Sequence, residues 1–311
     1  MTYNLKLRSL LYIKEIIAIF VKKSYHLLTI NPQNTSIQRL HSYLLSSVAP
    51  RPIALASTID EKGNPNLSPF SFFNVFSANP PILIFSPARR VINNTVKHSY
   101  ENAMVNKEVV INVVTYEMVH QTSLSSTEYD KGVNEFDKAG FTMLRSEKVK
   151  PFRVAESPVQ FECKINDIIE LGKEGGAGNL IICEVVRMHI DKKVLDENNL
   201  IDQIKLDLVA RAGGSFYSRA KDTFFEIPKP LRSEGIGVDA LPAVIRNSSV
   251  LTGNDLGMLG NTDKLPTIED VDKFMEENSN YLGVDLNEKH KFAQQFLRKN
   301  DVESALKILL S

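Results

Sequence analysis

The chain has 311 residues, of which 43% are hydrophobic and 24% charged, and its 37 basic side chains balance 37 acidic ones. This is the composition of an ordinary globular protein, which excludes intrinsic disorder and collagen-like structure for the chain as a whole and leaves no net field for nucleic acid or an anionic membrane. Cys163 and Cys183 cannot build a disulfide framework or a four-thiolate site, and six scattered histidines with no HExxH or CxxC argue against bound metal.

Residues 1–30 are basic and apolar. Leu10, Ile13, Ile17 and Phe20 recur at helical spacing, so an amphipathic helix is expected there. The apolar run, residues 10–21, is too short to span a bilayer and is followed by no small-residue cleavage site. Docking on the protein, lying on a membrane surface and adding nothing to the fold are all open for it.

From Pro52 the text turns to strands. IALASTI alternates, Asp60-Glu61-Lys62-Gly63 supplies a turn, and NLSPFSFFNVF continues as one strand-like run. Pro80-Pro81 punctuates before ILIFS. Further strands are expected at residues 108–115, 159–169, 180–190, 208–211 and 215–218. Both cysteines fall in these runs and read as reduced core thiols of a cytoplasmic protein. The glycine-rich residues 172–178 read as a flexible link. Helical windows are short, at residues 95–105, 118–125 and 134–139. Many strands with hairpin turns predict a closed or partly open antiparallel barrel. No GxGxxG or GxxxxGK[ST] follows a strand, which excludes the usual nucleotide-binding folds. After Pro228-Lys229-Pro230, residues 231–260 read as glycine-rich loop. Helices are expected at residues 267–278, 286–299 and 302–310. The expected organisation is an extension (1–30), a barrel domain (31–230) and a loop and helical tail (231–311).

Residues 50–86 carry an ordered set of features: Arg51-Pro52, Ser57-Thr58 before a D-x-x-G turn, Asn66, Pro69-Phe70-Ser71-Phe72-Phe73, and Ser77 ahead of Asn79-Pro80-Pro81. Together with Ser86, the segment 89–95 and the strand VVINVV, this set resembles the flavin reductase-like family. The resemblance covers about residues 36–230. It implies a mainly β fold, an antiparallel Greek-key split β-barrel that binds FMN, with short peripheral helices and a helical C-terminal tail. It further implies an oxidoreductase that passes a hydride from NAD(P)H to flavin, a homodimer, and delivery of reduced flavin to a partner monooxygenase. No nucleic acid and no membrane span are expected. A flavin carrier or redox sensor without steady turnover is the alternative; pyridoxamine-phosphate oxidase-like or haem-handling chemistry on the same barrel is a third, although residues 50–86 hold no histidine to favour haem.

FMN presents a flat apolar ring, polar ring edges and a dianionic phosphate. Ser71, Phe72 and Phe73 offer main-chain groups and phenyl walls to the ring, and Ser57 and Thr58 offer hydroxyls to the ring or the ribityl chain. Ser86, Arg89, Asn94 and Thr95 are the phosphate candidates, with Arg89 or Arg90 forming a charge-assisted pair and Asn93-Asn94-Thr95 read as a helix N-cap. Relatives often carry Lys-Asp-Thr where this chain has Asn93-Asn94-Thr95, and many follow the tyrosine of the last strand with histidine where this chain has Tyr217-Ser218. The loop at residues 125–129 is a candidate wall of the nicotinamide or acceptor pocket. No catalytic side chain and no metal ligand is assigned, because the cofactors hold the reactive bonds.

Overall fold

The computed structural model describes residues 27–227 and 235–311. The amphipathic helix expected around residues 10–20 lies outside them. The chain forms two compact units that part between Phe224 and Phe225.

In the first unit the strands are β1 (Ala54–Ile59), β2 (Pro65–Phe70), β3 (Phe73–Ala78), β4 (Pro81–Phe85), β5 (Glu108–Val113), β6 (Met143–Leu144), β7 (Arg153–Val154), β8 (Val159–Glu170), β9 (Asn179–Ile190), β10 (Val209–Arg211) and β11 (Tyr217–Arg219). Seven of them form one antiparallel sheet in the order β2-β1-β5-β8-β9-β4-β3, while β6 with β7 and β10 with β11 make small ribbons. The sequence run 66–76, read as one strand, is therefore two. It breaks at Ser71-Phe72, and the halves become the two opposite edges of the sheet.

The sheet curls around its own core. Ala56 of β1, Phe70 of β2, Phe85 of β4, Ile111 of β5, Cys163 of β8 and Ile181 of β9 meet in one buried cluster. The Phe70 and Phe85 rings, from the β2 side and the β4 side, lie 5.4 Å apart. The described β2 and β3 do not pair with each other, so the barrel is open rather than closed. β1 is buried along its whole length because its other face packs too. There Ile53, Leu55 and Leu67 meet Phe136 of the short Glu135–Ala139 helix. Cys163 and Cys183 are free and buried, in keeping with core thiols.

The two edges are treated differently. On β2, the Leu67 N–H donates to Glu135 Oε2 at 3.0 Å, so a carboxylate occupies a position another strand could take. Burial pushes the Glu135 carboxyl up. On β3, Val75 and Phe76 are exposed.

The second unit has its own core, in which Leu241, Ile245, Leu259, Leu297 and Leu306 are buried together. Its longer helices are Gly253–Gly260, Ile268–Glu277, Leu286–Leu297 and Val302–Leu310. The first of these lies in the stretch read as loop. Its start is marked by a reciprocal capping box between Thr252 and Asp255, a signal that three glycines obscured. Gly260 is needed there, since a Cβ would lie 2.9 Å from the backbone of Gly237.

One buried carboxylate ties the sheet to the connection before β7. Glu162 of β8 accepts from the Glu147 N–H at 2.9 Å and the Lys148 N–H at 2.6 Å, and His189 Nε2 lies 2.7 Å away. Burial alone would raise this carboxyl, but the two amides and His189 outweigh it and hold it below the usual range. A carboxyl lowered by folding stabilises the native state above its unfolded pKa, about 4.3 for glutamate, and that contribution is lost as the pH falls through the folded value. Urea unfolding between pH 7 and pH 3 is expected to show a steeper acid loss for the wild type than for Glu162→Gln. The substitution itself costs about 1–3 kcal/mol at pH 7 by leaving buried donors poorly matched.

Candidate functional site

The site candidates lie along a seam where the segment after β4 meets the loop between β8 and β9. Ser86 N–H donates to the Phe72 carbonyl at 2.8 Å, which fixes the break between β2 and β3 against the end of β4. Asn179 N–H donates to Ser86 Oγ at 3.0 Å, and Asn179 Nδ2 to the Pro87 carbonyl at 2.8 Å. Arg89 N–H donates to the Ala177 carbonyl at 2.8 Å, and Gly176 N–H returns a bond to the Arg89 carbonyl at 3.0 Å. Asn94 Nδ2 closes the far end on the Lys173 carbonyl at 3.0 Å.

The glycines of this loop are places of close approach. A Cβ on Gly178 would lie 2.8 Å from Ser86 Oγ, and one on Gly175 would lie 3.0 Å from the Arg90 carbonyl. Residues 172–178 are thus one wall of the seam and not the flexible link read from their composition.

Arg89 and Arg90 divide the work. Arg90 donates through Nε to Glu128 Oε1 at 2.8 Å and through Nη1 to Thr95 Oγ1 at 2.9 Å and the Val96 carbonyl at 2.5 Å. Lys97 Nζ reaches the same Glu128 oxygen at 2.8 Å. Lys97 and then Arg90 hold the Glu128 carboxyl down at about 2, so it stays ionised while it pins residues 125–129 to the seam. Arg89 is held instead by Asn94: Nε donates to Oδ1 at 2.7 Å and Nη2 to the Asn94 carbonyl at 2.8 Å. Among the described residues Arg89 has no carboxylate partner, and its Nη1 is uncommitted.

Asn94 adopts the left-handed conformation, with φ of 55°. The expected N-cap at Asn93-Asn94-Thr95 is therefore a turn, stitched by Thr95 Oγ1 donating to Asn93 Oδ1 at 2.8 Å. The helix begins later, at His98–Asn106, and Lys97 at its N-cap makes no side-chain capping bond. Its first-turn N–H groups carry a partial positive charge with no capping side chain.

Ser71, Phe72 and Phe73 sit at the break between the edge strands. Phe72 is partly exposed, with its ring 6.4 Å from that of His41 on the helix Ile37–Ser47 and edge-on to it. Phe73 packs against the core. Ser57 and Thr58 do not join the other candidates. Both are fully buried, and as neighbours on β1 they point to opposite faces, so no single ligand surface can touch both side chains. Thr58 Oγ1 accepts from Asn66 Nδ2 at 3.3 Å and Asn102 Nδ2 at 3.1 Å, and Asn66 also donates to Ser99 Oγ at 2.8 Å. Thr58 thus anchors the helix that follows Lys97. Ser57 Oγ has no hydrogen-bond partner among the described residues.

The structure also adds residues that sequence reasoning passed over. Asn179 is buried at the centre of the seam with Oδ1 unpartnered, and Lys97 sits at the uncapped helix start. Tyr100 donates to Glu170 at 2.5 Å, and burial followed by that carboxylate pushes its phenol up to about 12. The available signal for Asn179 was its place directly after the glycine-rich stretch and at the head of a strand.

The profile of the flavin reductase like domain matches residues 45–207, more than half of the chain and all within the first unit. An uncharacterized protein of Aquifex aeolicus is 35% identical over 188 residues, 60% of this chain and 93% of the relative. Among solved structures, nitrilotriacetate monooxygenase component B from Bacillus cereus superposes with a TM-score of 0.61 at 26% identity, covering 65% of this chain and all of that one. A protein of Shewanella frigidimarina, proposed as a flavin reductase with a split barrel domain, gives a TM-score of 0.55 at 24% identity, covering 65% of this chain and 99% of that one. It shares the fold.

The seam can be tested without any ligand. Gly178→Ala places a methyl group against Ser86 Oγ and is expected to lower stability by about 1–3 kcal/mol, as other overpacking changes do. Thermal unfolding of the full chain measures it; an unchanged midpoint would mean that the two loops are free to part.

Proposed function

The chain belongs to the flavin reductase-like domain family, and we propose on that premise that it binds FMN and reduces it with NAD(P)H. When bound, FMN supplies a ring that accepts a hydride and a dianionic phosphate that anchors it. The residues present fit both ends. Ser71, Phe72 and Phe73 line the ring end with main-chain groups and a partly exposed phenyl. Ser86, Arg89, Asn94 and Thr95 lie toward the phosphate end, together with the uncapped first turn after Lys97. The buried, unpartnered Asn179 Oδ1 between the two suits a hydroxyl donor.

The observation that carries this reading is Arg89. It is a cation without a carboxylate, oriented by Asn94, a few residues ahead of a helix start that lacks a cap. A phosphate completes that arrangement. The protein's contribution to hydride transfer is to stack and orient, and positioning of this kind is worth up to roughly 7–11 kcal/mol of a barrier. The likeness to a monooxygenase component B supports a partner monooxygenase as the recipient of reduced flavin. We further propose a homodimer acting in the cytoplasm.

The purified protein is expected to be yellow, or to take up FMN, and to bleach without oxygen on addition of NADH or NADPH. A stable yellow colour that neither nucleotide bleaches would instead favour the carrier or sensor reading. Failure to bind flavin at all removes both. Arg89→Ala is expected to weaken FMN binding by about 1.5–3 kcal/mol, the range for a hydrogen bond to a charged group. Fluorescence titration checks this, and unchanged affinity would place the phosphate elsewhere. Light scattering should give twice the mass of the chain.

A further inference from the structure

A cleft of about 420 Å³ lies in the first unit where β5 ends, β8 begins and the β10–β11 ribbon starts and finishes. None of its lining residues belongs to residues 71–73, 86–95 or 172–179, so it is separate from the seam. Its floor is apolar. Val194 and Leu206 are buried in one cluster with Val159, and Pro158, also buried, lines the same cleft. Thr115 lines it too, and the Thr115 hydroxyl has no hydrogen-bond partner among the described residues.

Three carboxylates and three ammonium groups share the lining. Asp207 is committed: it accepts from Arg219 at 2.9 and 2.6 Å, and Lys221 Nζ lies 3.1 Å away. Arg219 reaches a second carboxylate, Asp222, only at 3.9 Å. Lys221 is therefore the second cation on a carboxylate already gripped by a guanidinium. Lys205 Nζ donates to the Leu195 carbonyl at 2.8 Å and lies 3.8 Å from Asp202, while Lys193 meets Asp191 at 3.3 Å. The other two carboxylates have no cation. Glu156 accepts from the Thr142 N–H, at 3.0 and 3.2 Å, and the Glu117 side chain makes no hydrogen bond or ion pair among the described residues.

The lining is thus balanced in number but not in pairing. Its ammonium groups keep spare N–H donors, and Glu117 and Glu156 keep spare lone pairs. A ligand of one sign would meet like charges on the same walls. A net-neutral ligand that carries both signs on an apolar body satisfies the charged rim and the floor together. We propose that this cleft is a second small-molecule site, for a zwitterion of the amino-acid class with an apolar side chain. Its ammonium group would lie against Glu117 and Glu156, its carboxylate against Lys205 and Lys221, and its side chain on Val194, Leu206 and Pro158. The cleft falls in the size range of small-ligand sites, roughly 300–1,000 Å³. This site goes beyond the flavin reading and does not depend on it.

The test is a ligand-observed NMR titration of the full chain with L-phenylalanine. Two isosteres run beside it: phenethylamine, which lacks the carboxylate, and hydrocinnamate, which lacks the ammonium group. Phenylalanine is expected to bind with a Kd of about 1 mM, and each isostere at least about fivefold more weakly, because half-exposed ion pairs contribute modestly. Glu117→Gln should weaken phenylalanine about fivefold and leave hydrocinnamate unchanged. Lys221→Met should weaken phenylalanine about as much and leave phenethylamine unchanged. No saturable binding of phenylalanine overturns the proposal, as does equal binding of either isostere. Phenylalanine binding that both variants leave unchanged, or that added FMN displaces, lies elsewhere and overturns it too. A chain that takes up no FMN but binds phenylalanine in the expected order refutes the flavin reading alone and upholds this site.

Discussion

The break at Ser71-Phe72 is the constraint on which the rest of the molecule depends. Strands that adjoin in sequence commonly pair. Here β2 and β3 are separated by two residues and become opposite edges of one curled sheet. The backbone between them must cross the mouth of that curl, and Ser86 N–H, bonded to the Phe72 carbonyl, holds it there. The main-chain groups and the phenyl at the break are thereby brought beside the seam of residues 86–95 and 172–179, while Arg51 fastens the break from behind.

Much of the sheet was legible because its strands alternate or carry β-branched runs bounded by turn residues. β8 and β9 came within a residue of their expected ends. The split of residues 66–76 was not legible. Periodicity reports which face a side chain takes, and although the apolar phase slips at the adjacent Phe72 and Phe73, edge position is decided by long-range pairing. The Gly253–Gly260 helix shows the opposite failure. Its capping box was present in the text, but the glycines that permit a tight approach to Gly237 also lower helix propensity.

At the site, spacing and resemblance found the segment but not the division of labour within it. Arg89 and Arg90 are adjacent and chemically identical, and only their partners distinguish them: Asn94 for one, Glu128 for the other. Ser57 and Thr58 were grouped because they are neighbours, yet adjacency in a strand sends side chains to opposite faces. Residues 172–178 were read for mobility from glycine content, when each close approach instead demands the absence of a side chain. Asn179 was marked in the sequence only by its place after the glycine-rich stretch, since the free oxygen of a buried amide is a property of packing.

The unequal treatment of the two sheet margins sets a limit on how copies of this chain can associate through strands. One margin is occupied by the Glu135 carboxylate, and the other ends in β3 with exposed apolar side chains. Addition along the guarded margin is hindered, so among the described residues the seven-stranded sheet leaves the β3 margin as its open place for lateral growth. Two molecules that joined there would use up both open margins at once, and the array would terminate at a pair instead of extending into a fibril.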